Sequence, residues 1–276
     1  MRAAFLTAPQ TFEIREIPEP EKKEGEVLVR IAAAGVCGSD LHFYSQGRIG
    51  EVVLTDPFVM GHECSGIVED AGEFAEQFPR GTRVAIEPSI FCGTCPMCRT
   101  QKPNLCLNLR FLGFPPESGA YTEYMSVPSS TLYPMPACVR DREGPLLETL
   151  AVALHTVELA GDVYGKSAAI LGAGPVGLLT LLELRRCGAR VVLMTDPIPY
   201  RRELAESLNA EETADPGDTE TIKRCREKLD GLGPEIVIEA AGEPESFQQA
   251  MQIVRRGGLI VYCGIYALGS MPIDFT

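Results

Sequence analysis

Apolar residues recur along this chain in two rhythms, and the change comes roughly midway. Up to about Pro136 they alternate with polar residues in short stretches such as "GEVLVRIAAAG", "CSGIVED" and "GTRVAIEP", with turn residues between them. Alternation with a period of two puts one face of a strand on a core and the other in water, so this half reads as an all-β unit with irregular loops. "DREGPLLETLAVALHTVELAG" then reads as helix. Beyond it, strand, turn and helix repeat: "SAAILGAG" is a strand entering a glycine-rich turn, "PVGLLTLLELRRCGA" a helix, "RVVLMTD" a strand and "YRRELAESLNA" a helix. A weak strand near "EETADP" follows, then the strands "PEIVIEAAG" and "GGLIVYCG" with the helix "PESFQQAMQIVRR" between them. Apolar strands alternating with helices mean a parallel, doubly wound sheet. The expectation is an α/β chain of two domains, 1–150 and 151–276, with the helix that contains His155 running from one into the other.

Composition narrows the partners. With 276 residues, 45% of them hydrophobic, the chain can bury proper cores. Its formal charge is -13, from 38 acidic and 25 basic side chains, and no basic block interrupts it. Such a surface repels nucleic acid and anionic membrane, and neither is expected as a partner. The N-terminus turns charged before an apolar stretch is long enough for a signal peptide, and the uncharged run from Ser167 to Leu182 contains three glycines and a proline. A cytoplasmic protein is expected, and in that reducing setting clustered thiols bind metal or do redox work more often than they pair.

Gly172, Gly174 and Gly177, with Pro175 and Val176 between them, form G-x-G-x-x-G at the end of a predicted strand and the start of a helix. The glycines permit a tight turn, close approach of backbone to a pyrophosphate and close packing of the helix, whose N-terminus offers oriented N–H groups. They also serve where a turn only packs helix on strand. Asp196 ends the next strand, where an acid accepts hydrogen bonds from the adenosine ribose and repels a 2'-phosphate. NAD is therefore expected over NADP. Arg201, five residues on, either covers the adenine or pairs a phosphate.

Two clusters of metal-ligating residues lie in the first half. Cys92, Cys95, Cys98 and Cys106 stand close enough in sequence to wrap one ion. Four thiolates make the closed tetrahedral set of a structural zinc, with an iron–sulfur cluster or free thiols as alternatives. The second grouping is looser: "GVCGSDLH" carries Cys37, Ser39, Asp40 and His42, and "MGHECSG" carries His62 and Glu63. One thiolate, one imidazole and one carboxylate would leave a zinc position open to substrate. Each piece alone also suits a core cysteine or a surface His-Glu pair.

With these residues assembled, the chain resembles the zinc-dependent medium-chain alcohol dehydrogenases, and within them the sorbitol, xylitol and related polyol dehydrogenases, with threonine dehydrogenases close by. The resemblance rests on "CGSDLH", "GRIG", "GHECSGIVE", "GTRVAIEP", the four-cysteine cluster, "FLGFPPESGAYTEY", "LLETLAVALH" and "LGAGPVGLL", in the family's order along essentially the whole chain. It implies a GroES-like, β-rich catalytic domain followed by a Rossmann domain that binds the nucleotide. It also implies catalytic zinc at Cys37, His62 and Glu63, with Glu148 beside it, and structural zinc at the four clustered cysteines. Ser39 and His42 match the relay that carries the alcohol proton by way of the cofactor ribose to solvent. The implied reaction is oxidation of a secondary alcohol to a ketone by NAD, in a homo-oligomer for the full-length family form. His155 is expected to be a packing or hydrogen-bonding helix residue, and Cys64, Cys138, Cys187, Cys225 and Cys263 small buried or half-buried side chains.

Three departures qualify the match. Phe43 and Phe114 stand where polyol dehydrogenases often have tyrosine and threonine facing the substrate. Thr149 replaces a usual proline. The third is length: the chain ends just after the fifth strand of the nucleotide domain, where a six-stranded fold needs one more. A fragment of a longer enzyme, or a truncated relative that binds zinc and nucleotide without turnover, is the expectation that follows. A threonine or amino-alcohol dehydrogenase is the other alternative.

Overall fold

The computed structural model describes residues 1–218 and 220–266. By its internal packing the chain divides into two compact units, Met1–Glu148 and Thr149–Thr276.

The first unit is built on antiparallel strands. A five-stranded sheet has the order β6 (Tyr124–Pro128), β3 (Glu26–Ala34), β4 (Cys64–Asp70), β5 (Arg83–Ile86) and β7 (Leu132–Pro134). The period-two pattern is what buries it: Val27 and Val29 of β3, Val68 of β4, Val84 of β5 and Val127 of β6 are all fully buried in one core with Phe78. A smaller sheet joins β2 (Thr11–Glu16), β1 (Arg2–Ala8) and the two-residue strand Phe58–Val59. Its core is Leu6, Met60 and Phe43, the last from helix α1 (Gly38–Gln46). These arrangements bring the end of β3 and the start of β4 side by side, Ala34 opposite Cys64. The chain segments that leave and enter those strand ends carry the site described below.

In the second unit, five parallel strands run in the order β10 (Thr213–Ala214), β9 (Arg190–Thr195), β8 (Ser167–Leu171), β11 (Ile236–Glu239) and β12 (Leu259–Tyr262). Every residue of β8 and β11 is buried, as expected of strands covered on both faces. Ala168 and Ile170 of β8 enter one core with Leu181 and Leu184 of helix α3 (Pro175–Arg186), and Val157 of α2 (Leu146–Leu159). Ala169 and Leu171 point the other way, into a second core with Cys225 of α5 (Glu220–Glu227), and Ala250 and Ile253 of α6 (Pro244–Ile253). Helix α4 (Pro199–Ser207) joins the first layer through Ala205. The strand order reverses beside β8, which defines the switch point where such sheets take ligands. The weak third strand is real but only two residues long, and the sixth strand of the expected fold falls outside the described residues. Among the described residues no helix is long and apolar enough to cross a membrane.

Candidate active site and metal centres

The loop from Cys92 to Cys106 gathers its sulfurs. The four Sγ atoms lie within 4.8 Å of one another, and all are free thiols. Backbone N–H groups point at them: Cys92 N–H at Cys106 Sγ (3.3 Å), Cys95 N–H at Cys92 Sγ (3.4 Å) and Asn108 N–H at Cys106 Sγ (3.4 Å). The backbone and hydroxyl of Thr94 and the N–H of Cys95 hold the Cys92 thiol down to about 5. Sulfurs already dressed by N–H donors, with no position left for substrate, fit a closed structural metal site.

The second cluster is assembled from distant segments. Cys37 is the N-cap of α1, and its N–H is bound by Asp40 Oδ2 at 3.0 Å, which fixes the turn that presents the thiol. The N–H of Gly35 donates to the carbonyl of Glu63 at 2.7 Å, tying the approach to Cys37 to the segment carrying His62 and Glu63. One donor atom each from Cys37, His62 and Glu63 lies within 4.8 Å of the others. Burial pushes the Cys37 thiol up to about 11. The Ser39 hydroxyl and N–H lie close enough to oppose that shift, although the buried hydroxyl forms no well-shaped hydrogen bond with any group. Glu148, half-buried at the start of α2, is pushed up to about 7 by burial and then by the charges of Glu63, Glu87 and Asp40.

A bound dication fits these observations. Asp40 Oδ1 and His62 Nδ1 are buried, lack hydrogen-bond partners and face each other at 3.9 Å. A histidine that ligates metal through one ring nitrogen commonly turns its other N–H to a carboxylate. The charges of Glu63 and Asp40 add to the cost of ionising the Cys37 thiol, which a cation among them would relieve. Phe111 and Phe114 stand edge-on to the His62 ring at 5.3 and 6.0 Å. Phe43, expected to face substrate, is instead fully buried between Phe58 and Phe114, because the helical repeat of α1 turns position 43 to the core with Ser39. His42 is half-buried on the same helix.

In the second unit the glycines occupy the turn from β8 into α3. Gly172 adopts φ +110, and a Cβ on Gly177 would collide with the Gly172 carbonyl oxygen, so the helix can start this close only with glycine there. Gly174 caps α3, Pro175 is its first residue and Val176 follows, half-buried. Asp196, only 3% exposed, closes the turn: Oδ2 accepts the Ala173 N–H and Oδ1 the Ile198 N–H, both at 2.9 Å. Arg201 Nη1 lies 3.4 Å from Oδ2, and Arg202 donates to the Asp196 carbonyl.

Sequence reasoning missed a second acid of this kind. Glu239, at the end of β11, is fully buried; Oε1 accepts the N–H groups of Ala241 and Gly242 (2.9 Å each) and the Ser246 hydroxyl (2.6 Å), and Oε2 accepts the Tyr266 hydroxyl (2.8 Å). The available signal was an acid ending the apolar run "IVIE" as Asp196 follows "VVLMT". His155 is a helix residue whose Nδ1 lies 3.1 Å from Glu158, and of the five unassigned cysteines Cys138 is exposed, contrary to expectation.

A β-rich unit with two metal-ligating clusters, joined to a doubly wound unit with a glycine-rich turn, defines a zinc- and nucleotide-dependent dehydrogenase class. Residues 23–137 match the family model of the alcohol dehydrogenase GroES-like domain, and residues 175–276 that of zinc-binding dehydrogenases. The chain is 33% identical over 274 residues to sorbitol dehydrogenase of Bacillus subtilis strain 168, covering 99% of this chain and 78% of that one. It is 34% identical over 264 residues to L-threonine 3-dehydrogenase of Pyrococcus horikoshii, covering 96% and 75%. A Sinorhizobium meliloti 1021 protein described as a zinc-binding dehydrogenase, solved with NADP bound, superposes with a TM-score of 0.89 at 33% identity, covering 99% and 79%. The chain belongs to the zinc-dependent medium-chain alcohol dehydrogenases, in the polyol branch.

Proposed function

We propose that this chain oxidises a secondary alcohol, a polyol such as sorbitol or xylitol, to a ketone with NAD as hydride acceptor, in the cytoplasm. The observation that supports the reading is the convergence of one donor atom each from Cys37, His62 and Glu63, carried by two separate segments, to within 4.8 Å of one another. Zinc held there by Cys37, His62 and Glu63 would supply the Lewis acidity that lowers the pKa of the alcohol, and a bound nicotinamide would supply the hydride acceptor. Ser39 takes the alcohol proton through a hydroxyl whose hydrogen-bonding capacity is unspent, and His42, half-buried on the next turn of α1, passes it to solvent. Glu148, at the start of α2 near Glu63, places a further carboxylate beside the donor set, where it would meet the metal directly or through its water. Cys92, Cys95, Cys98 and Cys106 hold the structural zinc.

Gly172, Gly174, Pro175, Val176 and Gly177 supply the pyrophosphate site, and Asp196 favours NAD over NADP. The partly exposed Arg201 beside Asp196 is the feature that would let NADP bind, and a relative of similar identity carries NADP. The test is an alcohol panel with zinc-loaded protein, read by absorbance of the reduced cofactor, with NAD and NADP in parallel and L-threonine among the substrates. Turnover of polyols with NAD supports the reading, and preference for L-threonine replaces it with the amino-alcohol alternative. If zinc-loaded protein turns over no alcohol with either cofactor, the chain binds zinc and nucleotide without this chemistry.

A further inference from the structure

Two segments carry the proposed catalytic zinc ligands, and one side chain outside both touches each. Tyr121 precedes β6, far in sequence from Cys37 and His62. Its phenol oxygen lies 3.0 Å from Asp40 Oδ2 and 3.1 Å from the carbonyl oxygen of Gly35, so a single hydroxyl proton is offered to two acceptors. Asp40 is the acid that fixes the Cys37 N–H and faces the unpartnered Nδ1 of His62. Gly35 is the residue whose N–H holds the carbonyl of Glu63.

The Tyr121 ring is held as closely as its hydroxyl. A Cβ built on Gly61, next to His62, would stand 2.6 Å from two carbons of the ring, and Gly61 adopts φ +92. The ring lies where a side chain at position 61 would be, and only glycine tolerates both that contact and that backbone conformation. The backbone completes the link: Tyr121 N–H donates to the Met60 carbonyl and Ala120 N–H to the Gly61 carbonyl. Burial, followed by the charge of Asp40, pushes the phenol's pKa upward, so at neutral pH it stays a hydrogen-bond donor to Asp40.

We infer that Tyr121 is a positioning residue for the catalytic metal set: its ring packs on the segment before His62 while its hydroxyl fixes Asp40 and Gly35. This rests on the reading of Cys37, His62 and Glu63 as zinc ligands. Tyr121 touches no reacting atom, and its effect falls on how firmly the three donors are held. Loss of partners behind metal ligands lowers metal affinity by roughly 10–100-fold. Tyr121 stands one bond further out than Asp40, so the lower end of that range applies.

The test is Tyr121→Phe, which keeps the ring against Gly61 and removes only the hydroxyl. Zinc per chain is counted by elemental analysis, and zinc loss to a chromogenic chelator is followed in the parent, in Tyr121→Phe and in Cys37→Ala. The phase missing from Cys37→Ala belongs to the open site. In Tyr121→Phe that phase should run about tenfold faster while the four-cysteine phase keeps the parent rate. Equal rates in parent and variant overturn the inference, and so does acceleration of both phases together, which would report general loosening of the unit. A parent that binds a single zinc, retained in Cys37→Ala, overturns the reading of the site and the inference with it.

Discussion

Replacing Glu239 tests whether a buried acid, without a cation beside it among the ion pairs of the described residues, holds the loop after β11. Four donors converge on it: two backbone N–H groups, the Ser246 hydroxyl and the Tyr266 hydroxyl. In Glu239→Gln the amide oxygen can take the Oε1 position and keep three donors, while the NH2 group faces a hydroxyl that can turn to accept it. What is lost is the charge on the acceptor. Hydrogen bonds to charged groups contribute about 1.5–3 kcal/mol each against about 0.5–1.5 for neutral ones, and removing a buried charge gives part of that back. The net cost should be about 1–2 kcal/mol. Glu239→Leu removes every acceptor and strands the Ala241 and Gly242 amides, at about 1–3 kcal/mol for each buried group, or about 4 kcal/mol in all. Amide hydrogen exchange reads this locally, and urea unfolding followed in the second unit reads it globally. The Ala241 and Gly242 amides should exchange slightly faster in the glutamine variant and far faster in the leucine variant. Unchanged protection of those two amides in Glu239→Leu, with stability within about 0.5 kcal/mol of the parent, would refute the reasoning.

Three further outcomes are expected. Glu148 has its pKa raised from 4.5 to about 7 in the metal-free chain, so between those values the folded state holds a proton that the unfolded state has released; stability of metal-free protein should fall as pH rises through that window, and a flat urea midpoint from pH 4.5 to 7 would contradict it. Cys92→Ser should release one zinc per chain and unfold the Cys92–Cys106 loop while leaving nucleotide affinity within about twofold, because a closed metal site contributes folding energy only to the loop around it; calorimetry with NAD and limited proteolysis check both halves. Asp196→Ala should weaken NAD and shift the NADP-to-NAD affinity ratio upward by about tenfold or more, through loss of the acid and exposure of Arg201, and an unchanged ratio would show that Asp196 only braces the turn.

The hydrophobic rhythm made both architectures legible. Period two predicted β3, β4 and β5, and the strand-helix alternation predicted the parallel sheet down to its two-residue edge strand, because burial on one face or two leaves a direct mark on spacing. The four cysteines were legible for a related reason, since their ligand geometry is local. Cys37, His62 and Glu63 were less so, because a sheet has to form before they meet. Tyr121 and Glu239 were largely hidden: Tyr121 lies 81 residues from Asp40, and an acid that closes a loop looks like any surface acid until its donors are known. Phe43 misled for the opposite reason. Its neighbours in sequence belong to the site, while the turn of α1 carries its ring into the core.

The matched acids at the ends of β9 and β11 have a thermodynamic consequence. They flank β8 on either side: Asp196 gives both oxygens to backbone amides of the glycine turn and the loop that follows, and Glu239 gives one oxygen to two amides of its own following loop. The torsions of that crevice floor are thus frozen by folding and need no freezing by a ligand. Association with a nucleotide held there should carry little backbone ordering entropy, leaving more of the contact energy to appear as affinity. A floor set by two carboxylates is also one that a ligand cannot reshape to its own outline, so discrimination between nucleotides falls to the groups at its rim.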